Sequence, residues 1–314
     1  MIERNVWVRE VGLRDGLQIH STFMPTNQKL AWITAEAASG VSEIEVTSYV
    51  PPKLIPQFAD AEEVTVGALG IKDLTVSALI PNARGADRGL ELGVHKLNFV
   101  MSVSKTHNLK NVRREREESL ADFTRIAQTV RELPVDRRPK LVGGLSTALG
   151  CSYEGRISVD DVVRYAVLLA NSGADELVVC DTVGYADPSL VRDVFRRVIS
   201  EVPHLIVCAH FHDTRGTGLA NVSAALDVGV RHFDASLAGI GGCPFAPGAT
   251  GNIVMDDLCF MLDSMGLHTG VDLEALLNVR RIVKEALPDI EMHGGLARAG
   301  LPQNYVSAKN RAYA

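Results

Sequence analysis

Apolar and polar positions along the chain follow two alternating patterns. Short β-branched runs occupy residues 6–11, 42–47, 74–80, 95–100, 139–145, 176–181, 205–211 and 231–236. Between them lie amphipathic stretches at 26–39, 58–69, 83–92, 114–132, 158–172, 188–200 and 216–229, and a last pair follows at 254–265 and 272–287. The first pattern has the length and composition of buried strands, the second the period of helices with one apolar face. Strand–helix alternation implies parallel strands joined by right-handed crossovers. Eight such units predict an α/β protein built as a closed (β/α)8 barrel, the TIM-barrel architecture. An open doubly wound sheet is the competitor, but no GxGxxG follows the first strand to support a dinucleotide site.

Punctuation agrees with this reading. Pro25-Thr26-Asn27 and Asp187-Pro188 read as helix starts. Gly40, Gly93, Gly173 and Gly229 each fall between a helix and the next strand, where a left-handed C-cap is expected. The mixed-sign run from Arg113 to Glu118 reads as a solvated helix face. The barrel is assigned to about residues 5–290 and a short helical tail to 291–314, so the 314 residues form one domain with no interdomain linker.

Composition narrows the function classes. An apolar fraction of 46% excludes disorder, and 27 Gly with 13 Pro exclude collagen-like sequence. A formal charge of -6 argues against a nucleic-acid binder held by phosphate contacts. It leaves room for a small anionic substrate wherever positive charge is local, with Lys53, Arg84, Lys105 and Lys110 as candidates. The five cysteines (151, 180, 208, 243, 259) are odd in number and lack CxxC spacing, so neither disulfide scaffold nor zinc ribbon is expected. A reducing cytoplasm is the simpler setting. The first residues run straight into a strand-like Val6-Trp7-Val8, and no apolar run reaches about 18 residues. Neither signal peptide nor membrane span is therefore expected.

Active sites of such barrels lie at the C-terminal ends of the strands. Read there, the chain offers Glu10, Arg14, Asp15 and Gln18 after the first strand, then Glu45, Thr47 and Ser48 after the second. Ser102, Ser104, Lys105, His107 and Asn108 follow the fourth, Asp181-Thr182 the sixth and His210-Phe211-His212-Asp213 the seventh. Residues i and i+2 of a strand share a side, so His210 and His212 face the barrel mouth together. Such a pair suits a divalent metal, with Asp15 as anionic ligand and Asn252 as neutral oxygen ligand. That donor set favours octahedral Mg²⁺ or Mn²⁺ over structural zinc. The competing reading is a pair of hydrogen-bonded core histidines. Arg14 offers bidentate donors to an oxyanion, with Glu45 accepting from it and holding its fork, although an Arg14–Asp15 loop ion pair is the plain alternative. Cys243 sits in a long glycine-rich loop, which makes it a candidate acid or reactive thiol rather than a packing residue.

Several segments carry a family likeness. Val11-Gly12-Leu13-Arg14-Asp15-Gly16-Leu17-Gln18 resembles the first-strand motif of the 3-hydroxy-3-methylglutaryl-CoA lyases, and Glu45-Val46-Thr47-Ser48-Tyr49-Val50-Pro51-Pro52 resembles their second-strand segment. Gly150-Cys151-Ser152-Tyr153-Glu154-Gly155, Asp181-Thr182-Val183-Gly184 and His210-Phe211-His212-Asp213-Thr214 follow in the family's order. The most specific match is the run from Gly241-Gly242-Cys243-Pro244 to Gly251-Asn252. The likeness covers about residues 5–290. The wider group of barrel metallolyases also holds isopropylmalate and homocitrate synthases, which generally lack the Gly-Gly-Cys-Pro loop, so cleavage is favoured over condensation.

Carried over, the resemblance implies Asp15, His210, His212 and Asn252 as metal ligands. It implies Arg14 as the group on the thioester carbonyl, Glu45 as its partner, Cys243 as the loop acid, and Asp181 behind the ligands. Gln18, Ser48, Lys105 and Arg215 are the expected substrate-binding residues. The implied reaction is Mg²⁺- or Mn²⁺-dependent cleavage of a tertiary 3-hydroxyacyl-CoA by a homodimer or higher homo-oligomer. The alternatives are a lyase for citramalyl-CoA or another branched ester, and a Claisen synthase running in reverse. Lys105 stands where many of these lyases have an acidic residue, Arg215 where they have Tyr, and Leu296–Pro302 departs from the animal sequences. Each departure is a point at which the acyl pocket could differ.

Overall fold

In the computed structural model, which describes residues 4–241 and 251–307, eight parallel strands close on themselves. They are β1 (Trp7–Glu10), β2 (Glu43–Ser48), β3 (Thr75–Ile80), β4 (Lys96–Ser102), β5 (Lys140–Ser146), β6 (Glu176–Asp181), β7 (Ile206–Phe211) and β8 (His232–Ala235). Each pairs with the next in chain order, and β8 returns to β1 through Trp7↔His232 to Glu10↔Ala235. The connecting helices are α1 (Thr26–Ala38), α2 (Ala61–Leu69), α3 (Ala83–Leu92), α4 (Lys105–Val112), α5 (Arg116–Glu132), α6 (Val159–Ser172), α7 (Pro188–Glu201) and α8 (Gly218–Asp227). After β8 come α9 (Met255–Ser264), α10 (Leu273–Ala286) and α11 (Gly295–Ala299). The expected TIM barrel is thus formed.

Strand alternation divides two environments. Val8, Ile44, Leu97, Leu177, Ala209 and Phe233 belong to the main core. The second face of these strands points into the barrel, where a separate apolar cluster consists of Val142, Val178 and Cys208, with Cys180 packed against it. Much of the remaining interior is ionic. Arg9 grips Asp234 at 2.7 and 2.8 Å, and Lys96 Nζ bridges Glu43 and Glu176, each at 2.8 Å. Buried charges of this kind are tolerable only when paired.

The helix starts at Pro25 and Asp187 form as read: Asp187 accepts from the backbone N–H of Ser189 and Leu190. The four glycines between helix and strand all take positive φ. One helix was not legible, and the expected tail helix is brief. α4 lies in a segment to which the sequence pattern assigns no element, and its face carries only Leu109 and Val112 as apolar residues, too few for a periodic signal. It is set by a cap, Ser104 Oγ accepting from His107 N at 3.1 Å. α11 is one short turn-and-a-half in the tail. The Arg113–Glu118 run is corrected from a single helix face to a helix–helix junction. Arg113 ends α4 in the left-handed region, and Glu115 with Glu118 forms the capping box of α5. Arg116 reaches the carbonyl of Val103 and lies over the Tyr165 ring. Among the described residues, no helix is long and apolar enough to cross a membrane.

Candidate active site

Directly after β1 the chain makes a wide helical turn, Gly12–Gly16. Glu10 fixes it from behind, accepting from Gly12 N and, at 2.9 Å, from Leu237 N. The turn presents Arg14 and Asp15 at the barrel mouth. Arg14 Nε donates to Glu45 Oε2 at 2.5 Å and Nη1 to Asp15 Oδ1 at 2.7 Å. Glu45 is held in turn by Asn98 Nδ2 at 2.7 Å, and Gln18 Nε2 donates to Asp15 Oδ1 at 2.8 Å. Arg14 therefore serves both acidic neighbours, so its two alternative readings coexist. Burial opposes its charge, but Glu45 and Asp15 outweigh burial and raise its pKa further.

At the end of β7 the two imidazoles turn to the same side, with His210 Nε2 3.1 Å from His212 Nε2. His212 Nε2 lies 3.5 Å from Asp15 Oδ2. A backbone bridge between His212 and Asn252 draws in the last member, whose Nδ2 donates to Asp15 Oδ2 at 2.7 Å and to the Ile240 carbonyl at 3.1 Å. Gly251 N donates to Gly241 O at 2.8 Å, and Asp213 N to Gly251 O at 3.1 Å, so the backbone on both sides of Asn252 is pinned. Only glycine fits at 241, where φ is +142° and a Cβ would sit 2.2 Å from Asn252 Nδ2.

The donor set fits a divalent cation. Candidate ligand atoms of Asp15, His210 and His212 all lie within 4.8 Å of one another, and all three residues are buried. Among the described residues Asn252 Oδ1 is buried without a hydrogen-bond partner, and the Nε2 atoms of His210 and His212 lie 3.1 Å apart. Buried polar atoms are rarely left in that state, and a cation satisfies them together. Burial alone would raise the Asp15 carboxyl, but Arg14, His212 and His210 hold it well below the usual carboxylate range. Burial lowers His212, favouring the neutral ring that a metal requires.

These groups border a cavity of about 450 Å³. Arg14, Asp15, Gln18, Glu45, Ser48, His210 and His212 line it, as do Lys110 and Arg113 toward the mouth. Val142, Gly144, Val178 and Cys180 line its inner end. Two expected substrate-binding residues are not in the lining. Lys105 is exposed on α4 and lies 3.7 Å from Glu115, because the unforeseen helix turns it away from the mouth. Arg215 Nη1 is tied to the carbonyls of Val183 and Gly184, with its guanidinium over Tyr185. Asp181 is also outside the lining. It accepts from Tyr185 N and Ala186 N, which shapes the loop after β6, and burial pushes its carboxyl up to about 6. Cys243 lies outside the described residues.

Sequence reasoning missed three residues that bear on the site: Asn98 behind Glu45, and the pair Arg9–Asp234 behind His210. All three are within strands rather than at their ends. Their signal was a polar residue recurring with period two beside apolar neighbours.

The HMGL-like family model matches residues 5–283. The hydroxymethylglutaryl-CoA lyase YngG of Bacillus subtilis is 39% identical over 284 residues, covering 90% of this chain and 94% of that protein. The mitochondrial hydroxymethylglutaryl-CoA lyase of Rattus norvegicus is 37% identical over 286 residues, covering 91% and 87%. Among solved structures, an HMG-CoA lyase from Acinetobacter baumannii in complex with coenzyme A and 3-methylmalate superposes with a TM-score of 0.89. It is 40% identical, over 96% of this chain and 97% of that one.

Proposed function

Since the chain belongs to the HMGL-like family, we propose that it is a divalent-metal-dependent carbon–carbon lyase that cleaves 3-hydroxy-3-methylglutaryl-CoA to acetyl-CoA and acetoacetate. One observation carries the reading: Asp15, His210 and His212 converge beside the Arg14–Glu45 pair at the wall of a cavity, with Asn252 hydrogen-bonded to Asp15 behind that wall. Those four residues would hold Mg²⁺ or Mn²⁺. The bound ion supplies Lewis acidity that lowers the pKa of a substrate hydroxyl.

The remaining chemistry belongs to the side chains. Loss of the hydroxyl proton to a base of the cluster lets the adjacent carbon–carbon bond break. The hydroxyl carbon becomes the ketone of acetoacetate, and the bonding pair passes to the enolate of acetyl-CoA. Arg14, held by Glu45 and Asp15, directs its guanidinium to the thioester oxygen where that charge develops. Cys243 delivers the proton that converts the enolate to acetyl-CoA, and the base's proton returns to it, so the cycle balances. Ser48 and Gln18 supply polar contacts on the wall, and Lys110 and Arg113 supply positive charge toward coenzyme A phosphates.

A second reading is favoured by the inner end of the cavity. Val142, Val178 and Cys180 beside Gly144 form an apolar wall that suits a longer branch on the hydroxyl carbon than methyl. Both readings are tested by chromatographic detection of acetyl-CoA and the keto acid from a panel of 3-hydroxyacyl-CoA esters. The panel is run with Mg²⁺ or Mn²⁺ and again after chelation. Undiminished activity after thorough chelation defeats the metal reading. Condensation faster than cleavage with every ester defeats the lyase reading.

A further inference from the structure

We propose that Arg9 and Asp234 are positioning residues that fix His210 with its proton on Nδ1 and its Nε2 lone pair turned to the cation site. The inference rests on the metal part of the preceding reading. Asp234 lies on β8 and is buried, and Arg9 and Cys208 both donate to its carboxylate. Arg9 Nε donates to Oδ1 at 2.7 Å and Arg9 Nη2 to Oδ2 at 2.8 Å, a two-pronged grip that sets the plane of the carboxylate. Cys208 Sγ, at 3.3 Å, adds a weak donor to Oδ1. The remaining contact is His210 Nδ1, 3.0 Å from Oδ2.

An ionised carboxylate can only accept. His210 Nδ1 is therefore the donor, and the ring atom left to bind a cation through its lone pair is Nε2. That is the atom 3.1 Å from His212 Nε2, inside the candidate ligand set. His212 is different: its Nδ1 is buried without a hydrogen-bond partner, so no second carboxylate orients it in the same way. Arg9 is itself anchored. Its Nη1 lies 3.3 Å from Glu43, Glu43 is bridged by Lys96, and Lys96 also holds Glu176. An ion row spanning β1, β2, β4, β6 and β8 thus fixes the ring that meets the cation. Partners of this kind tune metal affinity and ligand orientation. A consequence for the reaction follows. With Nδ1 given to Asp234 and Nε2 to the cation, His210 has no nitrogen left to accept the hydroxyl proton, so the base is another group.

The test uses the full chain. Long-range ¹H–¹⁵N correlation of the metal-free protein, with His210→Gln for assignment, reads the tautomer directly. The expected result is a pyrrole-type Nδ1 and a pyridine-type Nε2 at His210. Mn²⁺ binding by electron paramagnetic resonance is then compared with Asp234→Asn, Arg9→Met and Arg9→Lys. Asp234→Asn and Arg9→Met are expected to lose about 10–100-fold in affinity, and Arg9→Lys, which keeps the charge but not the fork, to fall between. A pyridine-type Nδ1 at His210 overturns the inference. So does wild-type Mn²⁺ affinity in a folded Asp234→Asn protein. If the variants do not fold, the wild-type spectrum decides alone. A wild-type protein that binds no Mn²⁺ defeats the metal reading instead, and the metal-free tautomer still judges this one.

Discussion

The Arg14–Glu45 pair permits a test in which stability and activity report separately. Glu45→Leu removes the acceptor of Arg14 Nε and leaves the Asn98 amide, whose Oδ1 already has no partner, without one for its Nδ2. Breaking a buried ion pair from one side costs about 3–5 kcal/mol. The Arg14 side chain keeps 13% exposure and a second carboxylate, Asp15, which places the expected cost at the lower end, about 3 kcal/mol. In a chain this long that lowers Tm by about 5 °C. Arg14→Met strands Glu45 with Asn98 alone and costs a similar amount. The double variant removes both members of the Arg14–Glu45 pair, and the loss of Arg14 from Asp15, common to it and Arg14→Met, cancels in the cycle, so its loss falls short of the sum by about 2 kcal/mol. Urea denaturation of the four metal-free proteins, followed by circular dichroism, measures that coupling. Kinetically, Glu45→Leu lowers kcat more than it raises KM, because Arg14 is misaimed rather than absent. Additivity of the two single losses to within about 0.5 kcal/mol would refute the pairing argument.

Other outcomes follow from the same geometry. Cys243→Ala is expected to lose at least about 100-fold in kcat while still binding the ester, and full turnover in that variant would remove the acid role. Lys110→Ala raises KM for acyl-CoA with little change in kcat, whereas Lys105→Ala changes neither; steady-state kinetics on both variants checks the correction made to Lys105. Burial pushes the Glu10 carboxyl up to about 7, and burial together with Glu10 pushes Glu36 well above its usual range. Groups raised in this way stabilise the fold while protonated. That stability is fully present below the ordinary glutamate range and is lost as pH rises through the folded values. Tm of the metal-free protein should therefore fall between about pH 5 and 8, and Glu36→Gln should flatten the fall. Equal slopes for the two proteins would contradict it.

The fold was legible because the barrel repeats one unit, and each repetition restates the same two periodicities. All eight strand segments were found, since most outward-facing positions are apolar, as Leu97 and Phe99 are on β4. α4 was not, because its stability comes from the Ser104 cap and its position rather than from an apolar stripe. The cluster that could hold a metal was legible at the strand ends: His210 and His212 share a side by strand geometry, and Asp15 follows the first strand. The residues behind it were not, because attention to strand ends passes over Arg9, Asn98 and Asp234 one or two positions deeper. Lys105 and Arg215 lie outside the cavity lining for another reason. Their side chains are long enough to choose among local partners, Glu115 in one case and backbone carbonyls in the other, and that choice depends on loop shape.

The hydrogen bond from Gly251 N to Gly241 O has an engineering consequence. It ties together the two ends of a nine-residue stretch at its roots, while Asn252 is separately secured by the strand bridge to His212 and by the Ile240 carbonyl. The Asn252 amide is thus held by described residues on both sides of that stretch. That junction is a ready-made splice point. Segments borrowed from relatives, each keeping a cysteine at position 243, can be exchanged between 241 and 251 as cartridges, with turnover and ester preference as the readouts.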